Sequence, residues 1–102
     1  MKIQFLYFEG CPNSKETRKN LDKALSELGI ITDVEDILVS SPEEAEKYRF
    51  MGSPSILLDK KDIETGKEPG EVGFTCRIYR IGEKATGILP VEYIKKRILE
   101  LS

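Results

Sequence analysis

The chain has 102 residues, 16 basic and 18 acidic side chains, a net charge of −2 and no histidine. That near balance gives no electrostatic argument for nucleic acid or an anionic membrane as partner. Without histidine, Cys–His pairs, Ser–His triads and His-ligated metals are excluded. At 39% apolar and 33% charged residues, the composition is that of a single soluble globular domain over 1–102 with a real core. The start, Met1-Lys2-Ile3-Gln4-Phe5-Leu6-Tyr7-Phe8, is too short and too alternating for a signal peptide. No apolar run approaches the ~18 residues of a membrane span. A cytoplasmic protein is expected, where thiols stay reduced. Its two cysteines, Cys11 and Cys76, are too few for a stapled scaffold and lack metal-finger spacing.

Residues 2–8 alternate with apolar side chains on most of both faces, which predicts an interior strand. From Pro12 to Leu28, Leu21, Ala24, Leu25 and Leu28 recur at helical spacing with Thr17 on the same stripe, and Gly29 stands where a C-terminal cap belongs. The β-branched run 30–39 predicts a second strand. Ser41-Pro42-Glu43-Glu44 is a capping-box start for a short helix to about Phe50. Strand, helix, strand with short connections imply a parallel pair with a right-handed crossover. Pro54 can lead the apolar run after it but cannot sit within its ladder, so residues 55–64 read as a hairpin. Residues 65–75 are rich in glycine and hold nothing that looks like core; a loop of that length is often functional. Residues 76–81 are compatible with one more short strand, and Pro90 opens a last helix striped by Val91, Ile94, Ile98 and Leu101.

The chemistry points to Phe8-Glu9-Gly10-Cys11-Pro12-Asn13-Ser14, where a strand meets a glycine turn, a cysteine and a helix. Pro12 suits the first helical position, because its missing N–H would have no partner there. Cys11 then falls at the N-cap, facing unpaired N–H groups and the positive end of the helix dipole, which favour a reactive thiolate. The plain alternative is a small half-buried cysteine that only fills space.

On Gly10-Cys11-Pro12 between first strand and first helix, and Ser53-Pro54 before the third strand, the chain resembles the thioredoxin-like superfamily over nearly its whole length. The resemblance implies an α/β fold in the order βαβα-ββ-α, with a four-stranded mixed sheet flanked by helices and a long loop before the last helix. It also implies a cis Ser53–Pro54 bond, Pro54 seated against Cys11, and an exposed Ser53 backbone as an edge for an extended substrate. The motif departs from Cys-x-x-Cys: Ser14 stands at the second thiol position and cannot resolve a mixed disulfide. In this topology the loop after Ile63 emerges near the active end of the sheet, so Cys76 becomes a candidate resolving thiol that pairs with Cys11 on oxidation. Its alternative is a buried cysteine beside Phe74 and Tyr79. Arg77 and Arg80 are cations that would favour a thiolate at Cys76.

A closer resemblance rests on Phe8-Glu9-Gly10-Cys11-Pro12, Arg49-Phe50-Met51-Gly52-Ser53-Pro54 and Gly73-Phe74-Thr75-Cys76-Arg77-Ile78-Tyr79-Arg80. These look like small thioredoxin-like proteins, some labelled alkylmercury lyase by similarity. In that comparison Cys11 matches the first mercury-holding cysteine and Cys76 the second, while Ser14 replaces a proton-donating carboxylate and is a far poorer acid. Three function classes stay open. One is a thiol–disulfide oxidoreductase, or a reductase of small oxidised substrates, with Cys11, Cys76, Ser14 and Pro54 at its centre and Pro12, Ser53 and Arg77 toward a thiol or disulfide substrate, protein or small molecule. A second is a protein for Hg(II), an organomercurial or another soft metal held by Cys11 and Cys76. The third is a non-catalytic module that binds a protein or peptide beside Ser53-Pro54. None of the readings implies a resident cofactor.

Overall fold

A computed structural model describes residues 1–102. The alternating amino end forms β1 (Ile3–Tyr7), followed by α1 (Ser14–Glu27), β2 (Val34–Leu38), α2 (Pro42–Tyr48), β3 (Ser55–Leu58) and β4 (Lys61–Asp62). A hairpin of β5 (Tyr79–Ile81) and β6 (Lys84–Thr86) precedes α3 (Val91–Leu101). The first four strands make one sheet in the order β2-β1-β3-β4, while β5 and β6 pair only with each other. Strand β1 runs parallel to β2, as a helical crossover requires, and antiparallel to β3. Asp59 and Lys60 turn β3 into β4 with φ of 52° and 68°, the geometry of a two-residue hairpin turn.

Alternation along the central strands divides the core into two layers. Ile3 and Phe5 meet Leu21, Ala24 and Leu25 of α1 and Ile94 and Ile98 of α3. Leu6 points the other way, to Ile37, Val39, Ala45 and Phe50 on the α2 side. Strand β3 is buried throughout: Ile56 and Leu58 join the first layer and Leu57 the second. The capping start of α2 is in place, with the Glu44 N–H donating to Ser41 Oγ at 3.1 Å and the Glu44 carboxylate accepting from the Ser40 N–H at 3.1 Å. The Ser40 hydroxyl also donates to the Glu44 carboxylate, and it, first, and the Ser40 N–H hold that carboxyl below its usual range. No helix is long and apolar enough to cross a membrane.

Four expectations need correction. Helix α1 starts at Ser14 with Asn13 at its N-cap, so Pro12 is not the first helical residue and Cys11 is not the N-cap. The Ser14 N–H reaches Cys11 O at 3.5 Å, closing a turn with Pro12 second in it; a fixed φ near −65° suits that place as well as it suits a first helical turn. The second strand is confined to Val34–Leu38, with Ile31 fully solvent-exposed, because only the segment opposite β1 finds ladder partners. An unforeseen β6 pairs with β5. Residues 65–75 do contribute to the core: Val72 and Phe74 pack on the second layer, and the Gly73 N–H donates to Phe50 O at 2.8 Å.

Tyr79 fastens the hairpin to the sheet. Its ring is fully buried in the first layer, and its hydroxyl donates to Pro54 O at 2.6 Å. Burial pushes the phenol pKa well above its ordinary value, so the donor is kept at any working pH. Tyr79→Phe leaves the Pro54 carbonyl buried without this donor and should cost about 1–3 kcal/mol. In urea unfolding this appears as a lower midpoint with an unchanged slope; an unchanged midpoint would show that the bond is dispensable.

Candidate functional site

Strand β1 delivers Phe8, Glu9 and Gly10 to the start of α1. Gly10 has φ +87°, a conformation that side chains other than glycine's rarely adopt, and it reverses the chain into the Cys11 turn. The Cys11 N–H donates to Phe8 O at 3.3 Å, and Cys11 O accepts from Ser14 N–H and, at 3.1 Å, from Ser14 Oγ. Backbone and motif are thus fixed together, and Ser14 spends its hydroxyl on holding the turn. Cys11 is 8% exposed while Glu9, Gly10 and Pro12 around it are open to solvent. The thiol is recessed beneath an exposed rim.

Ser53 and Pro54 arrive at the same end of the sheet, joined by a cis peptide. Ser53 Oγ accepts from the Phe8 N–H at 3.4 Å, which ties this segment to the residue whose carbonyl holds Cys11. Pro54 is buried. Ser53 itself has no exposed surface, and both of its backbone groups are taken: its N–H donates to Thr75 O at 2.9 Å and its carbonyl accepts from Arg77 N–H at 2.8 Å. The open substrate edge expected at Ser53 is therefore absent, because the chain's own residues 75–77 lie along it.

Cys76 sits in that segment, forming a parallel bridge with Ser53 and exposed to solvent. It is not the buried cysteine beside Phe74 and Tyr79 that one reading allowed. Arg77, expected to serve a substrate or a thiolate, is committed inward. Its guanidinium donates to both Asp62 oxygens at 2.7 Å, to Glu64 at 3.1 Å and to Ser55 Oγ at 3.2 Å, and lies 4.3 Å from the centre of the Tyr79 ring. Burial, the largest single influence, would lower its pKa, but the Asp62 hydrogen bonds together with the surrounding charges and the Glu64 bond outweigh this and hold it above its ordinary value. A charge so placed needs every one of those partners.

The residues that sequence reading missed are those that hold the segment down. Asp62 lay in a polar stretch that reads as a turn, with no local sign of a buried partner farther along the chain. Phe8, Phe50 and Phe74 form a three-ring cluster, Phe8–Phe74 edge-on at 5.4 Å and Phe50–Phe74 at 6.4 Å. Isolated aromatic residues in a glycine-rich loop carry no periodicity, so only the pattern Val72-x-Phe74 hinted at it. Across the site, the β6–α3 connection is also fastened to α1: Asn20 donates to Leu89 O at 2.8 Å, and Thr17 Oγ1 accepts from the Leu89 N–H at 3.3 Å. A cleft of about 310 Å³ opens beside α1 between Tyr7, Ser14, Lys15, Arg18 and Asp36, and neither cysteine lines it.

A family described as a thioredoxin domain matches residues 1–74, a span that includes Cys11, Pro12, Ser14, Ser53 and Pro54 and ends before Cys76. Comparison with curated proteins and with solved structures returned no match.

Two outcomes follow from this geometry. A bulky maleimide should label exposed Cys76 well before recessed Cys11, read by mass spectrometry of the digested protein; simultaneous labelling would mean that the Cys11 turn opens freely. Asp62→Ala strands the Arg77 guanidinium and should destabilise by about 3–5 kcal/mol, whereas the pair Asp62→Leu with Arg77→Met should cost much less. Denaturant midpoints separate the two cases, and equal losses would show that the pair acts only through packing.

Proposed function

The chain belongs to the thioredoxin-domain family, and on that premise we propose that it carries out thiol–disulfide exchange with Cys11 as the attacking thiol. The observation that carries the reading is the position of Cys11. It lies in a tight turn at the end of β1, before α1, and is linked through Phe8 to the Ser53–Pro54 segment. Helix α1 begins at Ser14, just beyond this turn, with no side-chain cap on its first N–H groups.

The reaction proceeds in two displacements. The Cys11 thiolate attacks one sulfur of a disulfide, a Cys11–S–S–R bond forms, and the other half leaves as a thiolate. A second thiolate then attacks the Cys11 sulfur and releases R–S⁻. That second thiol is Cys76, which leaves an intramolecular Cys11–Cys76 disulfide for an external thiol to reduce; where an external thiol acts instead, it attacks the R sulfur and releases the Cys11 thiolate. Ser14 cannot take this part; its role is to hold the Cys11 carbonyl. Pro12 and Pro54 shape the entrance, one exposed at the rim and one buried behind it.

The test is incubation with hydroxyethyl disulfide followed by mass spectrometry of the quenched, digested protein. The expected products are a Cys11 adduct that passes to a Cys11–Cys76 disulfide in the native chain and that accumulates in Cys76→Ser. Cys11→Ser should abolish exchange at this site. If Cys11 stays unmodified while the fold is intact, the non-catalytic binding module takes precedence. Uptake of Hg(II) that needs both thiols, without exchange, would favour the soft-metal reading instead.

A further inference from the structure

Residues 75–77 lie along Ser53, just ahead of β3, and take both of its main-chain groups. We propose that the segment 72–77 is a built-in strand that closes the edge beside Pro54, so that the thiol site takes low-molecular-weight disulfides and thiols rather than extended polypeptides. The inference rests on the thiol reading of Cys11 above and names the substrate class of that site.

Strand addition works through main-chain hydrogen bonds to a free edge. Beside Pro54 the edge residue is Ser53, and its N–H and carbonyl are already bonded to Thr75 O and Arg77 N–H, at 2.9 and 2.8 Å. The closure is tight as well as complete. Gly52 is buried with φ +121°, and a Cβ on it would stand 2.9 Å from Arg77 Cβ and 3.2 Å from Thr75 O. The segment therefore runs in contact over the turn that leads to Pro54, leaving no room for a second chain between them.

Its fastenings are spread along its length. Arg49 donates twice to Pro69 O, at 3.0 and 2.8 Å, just before the segment. Gly73 is bonded to Phe50 O, Phe74 is wedged against Phe8 and Phe50, and Arg77 is locked to Asp62. Phe8 is the same residue whose carbonyl holds the Cys11 N–H, so the wedge stands directly beside the reactive turn. What is left to a substrate is a cysteine only 8% exposed beside the open residues Glu9, Gly10 and Pro12. A small disulfide reaches a recessed sulfur without needing backbone contacts; an extended polypeptide loses the contacts that would orient it.

The experiment compares two disulfides with the same leaving group on the single-thiol Cys76→Ser protein. One is hydroxyethyl disulfide, and the other is a short unstructured peptide whose lone cysteine carries a mercaptoethanol disulfide. The small probe should add to Cys11 about tenfold faster or more, because the filled edge and the recess crowd the peptide chain and offer it no main-chain hydrogen bond in return. Adding Phe74→Ala, which removes the wedge, should narrow that ratio. Amide hydrogen exchange gives a readout independent of reactivity: the Ser53 and Arg77 N–H groups are protected with the wedge present and exchange faster without it. Equal rates for the two probes, or unprotected Ser53 and Arg77 amides in the parent protein, would overturn the inference while leaving exchange at Cys11 intact. An unchanged ratio in Phe74→Ala, despite faster exchange of those amides, would overturn it too. Loss of reaction with both probes would instead remove the thiol reading and this inference with it. Should Phe74→Ala not fold, the ratio and the amide protection in Cys76→Ser still decide.

Discussion

A guanidinium that is 7% exposed and a carboxylate with no exposure at all must stay together, because either alone would be a buried, uncompensated charge. Arg77 and Asp62 impose that requirement on the carboxyl half of the fold. Asp62 is fixed by its pairing in β4, so Arg77 is drawn to the sheet, and its neighbours must follow. Thr75 and Cys76 are laid along Ser53 on one side, and Tyr79 is carried into the core on the other, where its hydroxyl finds Pro54 O. No buried side-chain polar atom lacks a partner, which is the condition under which such a network rigidifies its surroundings.

This arrangement changes what the fold offers. The thioredoxin-like scaffold presents a cysteine between its first strand and first helix and a proline before its third strand. Here both are present, yet the edge next to the proline is filled from within the chain. The resolving candidate, Cys76, rides on the filling strand, outside the part of the chain that the family match covers. On the proposed reading, chemistry and access are set by different halves of the sequence: Cys11 lies in the amino half, and residues 72–77 shape its entrance. One scaffold hosts many chemistries, and the site decides among them.

Much of the amino half was legible because its signals are local. Alternation in 3–7, the stripe through Leu21, Ala24 and Leu25, and the Ser41–Glu44 cap each specify their element with neighbours only. Pro12 misled for a physical reason, since its fixed φ fits the second place of a turn as readily as the first turn of a helix. The carboxyl half was harder to read because its structure is made by distant partners. Lys84-Ala85-Thr86 has too few apolar residues to show alternation, and it becomes a strand only because β5 lies beside it. Arg77 read as a cation for a thiolate or a substrate until Asp62 and Glu64 were brought to it by the β3–β4 hairpin. Phe74 looked like part of a loop until Phe8 and Phe50 gave it a seat.

On the proposed reading, Cys11 exchanges disulfides in a recess that the chain itself keeps closed to extended partners. The most direct measurement is an NMR structure of the mixed disulfide between the Cys76→Ser protein and mercaptoethanol, with scalar couplings across the Ser53–Thr75 and Arg77–Ser53 hydrogen bonds. The account predicts a single adduct on Cys11 with both couplings retained. An unmodified Cys11, or an adduct formed only with residues 75–77 displaced from Ser53, would contradict it.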